Sequence, residues 1–165
     1  NNCLYDPQTI LFMDAIEIKV PNAIFLPKVI DYLKDGHTVT LPLNGYSMRP
    51  FLENGRDKAL LSYAADKDKL KVGDPVLAEV RKGFFVLHRI VAINGNEVTL
   101  LGDGNLTPEH CHRDDIRATV IGFYRKGRQT LDRTDGRKWR WYSWWWMLLR
   151  PIRRYLLFIY RHLFV

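Results

Sequence analysis

The sequence predicts a mostly β protein: a coiled antiparallel sheet or small barrel, with an N-terminal helix before it and a C-terminal amphipathic helix after it. Three observations lead there. Between His37 and Lys126, six short runs rich in Val, Ile, Leu, Phe and Thr follow one another, each bounded by turn residues. No parallel βαβ rhythm appears among them, and no internal repeat. Outside that region, apolar residues recur at helical rather than alternating spacing.

The helix is expected from Pro21 onward. Asn22 caps it, Ile24, Phe25, Pro27, Val29, Ile30 and Leu33 form its apolar stripe, and Asp35-Gly36 stops it. Pro27 is unsuited to a helix interior and is read as marking the first turn. The strands are HTVTLPL at 37–43, KALLSY at 58–63, DPVLAEV at 74–80, GFFVLHRIVAI at 83–93, NEVTLLGD at 96–103 and IRATVIGFYR at 116–125. Turns fall at Asn54-Gly55, Gly73-Asp74, Lys82-Gly83, Asn94-Gly95-Asn96 and Asp103-Gly104-Asn105. The chain thus divides into an arm and helix at 1–36, a β body at 37–126, a polar linker at 127–138 and an aromatic, arginine-rich tail at 139–165.

At 165 residues the chain has enough length for one core, and 47% hydrophobic with 26% charged residues is a globular composition. The net charge of +7 is unevenly placed: residues 131–165 hold eight Lys+Arg and two Asp+Glu, net +6, which leaves +1 for the rest. Nucleic-acid binders usually spread charge over a folded face, so no nucleic-acid partner is expected. Cys3 and Cys111 make neither a disulfide framework nor metal-ligand spacing. In His110-Cys111-His112, neighbours on a strand point to opposite faces, which argues against zinc. Residues 1–20 contain Asp6, Asp14, Glu17 and Lys19 and lack the apolar run of a secretory leader.

In the tail, the longest stretch without charge is Trp141 to Leu149, too short to span a bilayer. On a helical wheel, Arg150, Arg153, Arg154 and Arg161 fall within about 100° of arc, opposite Trp145, Leu148, Ile152, Tyr155, Leu156 and Ile159. Arginines beside Trp144, Trp145 and Trp146 describe a segment lying on an anionic membrane surface. The competing reading is a helix packed on the body. Pro151 is expected to kink or divide it.

Within GYSMRPFLENGRDK at 45–58, Ser47 sits in a glycine-led turn. A serine hydroxyl needs a base to become nucleophilic, and the base needs a group to fix its tautomer. His88, in the strand FFVLHRIVAI, supplies an imidazole that is neutral near pH 7. Asp103, at a strand end, supplies a carboxylate whose other reading is an Asx-type turn.

Four boxes carry a resemblance. Gly45-Tyr46-Ser47-Met48-Arg49-Pro50 with Gly55-Arg56-Asp57, Val72-Gly73-Asp74-Pro75-Val76, His88-Arg89-Ile90 and Gly102-Asp103-Gly104-Asn105 resemble, in that order, the signal-peptidase and SOS-repressor-peptidase superfamily over roughly 37–125. The resemblance implies a coiled antiparallel β body of the signal-peptidase-like type. Bacterial members use a lysine as base before an arginine. His88 before Arg89 is similar to the endoplasmic-reticulum and archaeal signal peptidases instead. The carry-over implies Ser47 as nucleophile, His88 as general base and Asp103 as acid, with Glu109, six residues on, as the alternative acid. Gly45 stands where many signal peptidases have a serine, so the oxyanion is expected on backbone N–H groups around Gly45 and Ser47, Ser47's own among them.

The expectation is a serine endopeptidase cleaving leader- or signal-bearing polypeptides at a membrane surface, peripheral through its tail, with no metal, nucleotide or other cofactor. The rival readings are a catalytically degenerate membrane-associated interaction module and a self-cleaving SOS-type regulator. The latter's Ala-Gly or Cys-Gly cleavage dipeptide does not occur in the chain.

Overall fold

The computed structural model describes residues 22–164, so the arm at 1–20, with Cys3, lies outside the described residues. The strands are β1 (Val39–Pro42), β2 (Lys58–Tyr63), β3 (Pro75–Arg81), β4 (Phe84–Asn94), β5 (Glu97–Leu101), β6 (Glu109–His112), β7 (Ile116–Tyr124) and β8 (Leu131–Arg133). They form one antiparallel sheet in the order β1-β2-β7-β3-β4-β5-β6. β3 and β8 share one edge of β7, at Ile116–Thr119 and Gly122–Tyr124 respectively. The sheet does not close, because β1 and β6 end it without pairing to each other, and that rules out the barrel. β6 and β8 are additions to the six expected strands. β8 falls inside the stretch read as linker.

Apolar residues line both faces of the sheet. Leu61, Leu77, Ala118 and Val120 face one core with Met48 and Leu52, and Val76, Ala78, Ile90, Leu100 and Ile116 face a second. Helix α1 (Asn22–Lys34) buries Leu26, Val29, Ile30 and Leu33, an i, i+3, i+4, i+7 set, and covers the first core with Leu26, Val29 and Leu33. Ile24 and Phe25 are exposed, so Leu26 takes the place in the stripe that they were expected to hold. Pro27 lies inside the helix, not at its start. Its missing N–H forgoes only the bond to Ala23, one turn from the end, where a break costs least. Gly36, at φ +88°, ends the helix as expected.

The C-terminal region is three pieces. Helix α2 (Arg137–Leu148) is followed by a 3₁₀ turn at Arg150–Ile152, where Pro151 divides the helix, and then by α3 (Arg153–Phe164). α2 is a wall of the body. Its inner face packs Tyr142 tilted against Phe51 (centroids 3.8 Å apart), Trp146 edge-on to the same ring and Trp139 tilted against Phe123. Trp146 and Arg153, expected at a membrane, are therefore buried, at 7% and 2% exposure. The continuous wheel fails at Pro151, and the first turn of α3 turns Arg153 inward while Arg154 stays exposed. Trp144, Trp145, Arg150 and Arg154 are exposed, while the Arg161 side chain lies outside the described residues. Among the described residues, no helix is long and apolar enough to cross a membrane.

Candidate active site

The segment that follows the serine turn is held by a buried carboxylate. Asp57, fully buried, accepts hydrogen bonds from the backbone N–H of Glu53 (2.9 Å) and Lys126 (2.8 Å) and from the Arg56 guanidinium. Burial pushes its carboxyl up, but the Arg56 bond and the two amides outweigh this and hold it below the usual range. Gly45 adopts φ +96°, open to glycine without strain, and its N–H donates to Asn54 Oδ1 at 2.9 Å. That N–H is thus committed and does not serve an oxyanion. Among the described residues the Ser47 N–H has no hydrogen-bond partner.

Strand parity sorts the other site residues. In β4, His88 and Ile90 share a face; Ile90 pairs with Leu100 of β5, and Leu100 pairs with Glu109 of β6. His88 and Glu109 therefore lie on one face, and β5 ends at Leu101 before any side chain can stand between them. His88 Nδ1 meets Glu109 Oε2 at 2.5 Å. The imidazole is 4% exposed, and burial draws its pKa below 6.5 against the opposing pull of Glu109.

Arg89, Leu101 and Asp103 take the opposite face. Asp103, the expected acid, grips Arg89 through two bonds, Nε to Oδ1 at 2.9 Å and Nη2 to Oδ2 at 2.7 Å. Both side chains are fully buried. Tyr142 Oη donates to the same carboxylate, and Arg89 Nη1 donates to Gly73 O and Ser143 Oγ. The carboxylate on His88 is thus that of Glu109, the alternative acid, and Asp103 joins the sheet to α2.

Two glycines let the 102–105 turn close on the serine turn. The Gly104 N–H donates to Ser47 O at 2.7 Å. A Cβ on Gly102 would lie 2.5 Å from Ser47 O and 3.0 Å from His88 Nε2, so only glycine lets the imidazole and the serine backbone flank that point. Ser47, His88, Glu109 and Asn105 line one cavity of about 290 Å³. Asn105, a member of the Gly-Asp-Gly-Asn box, has no site role among the sequence expectations, yet lines this cavity. Ser47 Oγ is not hydrogen-bonded to the ring, a contact that in serine sites often tightens only with substrate bound.

The same cavity is bordered by Leu43–Gly45 beyond β1 and by residues 84–88 of β4. Over 84–88, β4 pairs with β3 on one side, and β5 joins only from Arg89 onward. Its other edge is open there among the described residues. Cys111 is buried on β6, with its thiol pushed up to about 11 by that burial, while His110 and His112 point outward. No protein-family model, curated protein or solved structure gives a significant match to the chain.

Proposed function

We propose that the protein is a serine endopeptidase that acts on extended, leader- or signal-bearing polypeptides at an anionic membrane surface. The observation that carries this reading is the 2.5 Å contact between His88 Nδ1 and Glu109, in one cavity with Ser47. A carboxylate accepting the Nδ1 proton leaves Nε2 with its lone pair free to act as base. Nε2 takes the Ser47 hydroxyl proton as Oγ attacks the scissile carbonyl carbon. The oxyanion rests on the Ser47 N–H, and Nε2 returns the proton to the leaving amine. Water then hydrolyses the acyl ester by the same route. The open edge of β4 at 84–88 supports binding of an extended chain through ladder hydrogen bonds. These steps draw on a hydroxyl, an imidazole, a carboxylate and backbone donors.

The test is mass spectrometry of a signal-peptide-bearing preprotein incubated with the lipid-reconstituted protein, wild type beside Ser47→Ala. A single new terminus, absent with the alanine variant, is the expected result. Identical fragments from both variants, or none from wild type across a broad substrate set, would overturn the reading.

A further inference from the structure

Helix α3 faces the wrong way for water on both its sides. Toward the body it buries Arg153, whose Nη2 makes one 3.4 Å bond to the Trp146 carbonyl while the guanidinium sits 5.0 Å from the centre of the Trp146 ring. Nε and Nη1 have no partner among the described residues, nor has the neighbouring Trp146 indole N–H. Toward solvent, Tyr155, Phe158, Ile159 and Leu163 are each more than half exposed. Trp145, 40% exposed, borders a groove with Leu156, Leu157 and Tyr160 and extends this apolar surface onto α2, where Trp144 is also exposed. A roll of α3 about its own axis would hydrate the guanidinium and cover the apolar side chains, correcting both faults in water. A bilayer corrects the second without any roll.

We propose that the outward face of α2 and α3 docks on an anionic bilayer, and that Arg153 is a latch opposing the docking orientation in water. The inference rests on the membrane-surface reading above and adds to it the docking face and the residue that regulates it. Charge argues for an anionic occupant: 131–165 carries net +6, and Arg150 and Arg154 are exposed beside the apolar face. Position ties the face to the site. A groove lined by Leu106, Tyr155, Leu157 and Phe158 runs along α3, and Leu106 directly follows Asn105 of the candidate active site. Docking on this face sets Leu106, next in the chain to the cavity residue Asn105, at the lipid surface. Burying an unpaired guanidinium is the cost that the apolar contact with lipid offsets.

The latch makes a prediction of unusual sign: removing one arginine strengthens binding to anionic vesicles. Full-length wild type, Arg153→Leu and Arg154→Gln are titrated with vesicles of phosphatidylcholine, with and without phosphatidylserine. Arg153→Leu is expected to bind the anionic vesicles at least about threefold more tightly, and Arg154→Gln about fivefold more weakly, as for any exposed charge lost near an anionic leaflet. Equal weakening by both substitutions would make Arg153 an ordinary surface charge and overturn the latch. Failure of wild type to bind either vesicle would overturn the membrane reading itself, a distinguishable result. Should Arg153→Leu not fold, hydrogen exchange of wild type decides. Amides of 154–164 are expected to exchange faster in water than on anionic vesicles, and equal exchange would sink the proposal.

Discussion

Neighbouring residues with opposite duties set the chemistry of this sheet. His88 points toward the serine turn and Arg89 toward α2; Glu109 of β6 bonds the first and Asp103, in the turn after β5, bonds the second. Asparagine or glutamine at the two acids should therefore give unlike phenotypes. Glu109→Gln should lower turnover by roughly 10²–10⁴-fold. Because the carboxylate raises the pKa of His88 against burial, its loss should also move the acidic limb of kcat/KM, already below pH 6.5, further down. Asp103→Asn should move that limb less than Glu109→Gln does, since Asp103 is the weakest of the groups acting on His88, and should instead destabilise the fold by about 3–5 kcal/mol, because it leaves a buried guanidinium short of its counter-charge. A pH–rate profile and a denaturant titration on each variant check both. On the proposed mechanism Gly102→Ala should cost about 10²-fold in rate, because its methyl would meet Ser47 O at 2.5 Å and displace the serine turn. Ser47, His88 and a pair of acids were legible in the residues. The choice between the acids was not, since it hangs on strand register, and a slip of one residue exchanges the faces.

At the scale of elements, alternation and turn chemistry made six strands readable. β6 and β8 escaped because Glu-His-Cys-His and Leu-Asp-Arg carry too few apolar residues for a period to show. The tail was legible as helical and amphipathic and as broken by Pro151. Which side it would present was not legible, because that depends on Phe51 and Phe123, aromatic partners far away in sequence. The division at Pro151 has a measurable consequence. A chain ending at Leu149 keeps α2 and should fold, and on the proposed function should match the full chain in cleaving a short soluble peptide. One ending at Lys138 loses Trp139, Tyr142 and Ser143, so that Arg89 loses an acceptor and Phe51 and Phe123 lose their cover. It should be less stable by roughly 3–5 kcal/mol. Circular dichroism melts of the two truncations separate these outcomes.

For the whole molecule, stability should weaken in acid in two stages. The unfolded chain protonates His88 near pH 6.5 while the native chain resists, so stability falls as pH drops below that value. Asp57, held below its usual 3.8 in the native state, stabilises above that pH and loses its contribution as pH falls through the lowered value. A series of denaturant midpoints against pH should show both stages, and His88→Ala should abolish the first alone. The open edge of β4 carries a different consequence, one for chemical intervention. A ladder pairs amides at every second residue, so a short extended peptide N-methylated at alternate positions has one bonding rim and one blocked rim. Two such peptides of identical sequence, methylated in opposite phase, would differ only in which rim they offer. If residues 84–88 receive substrate as a strand, one phase inhibits and the other is inert, and the active phase reads out the register of the bound chain.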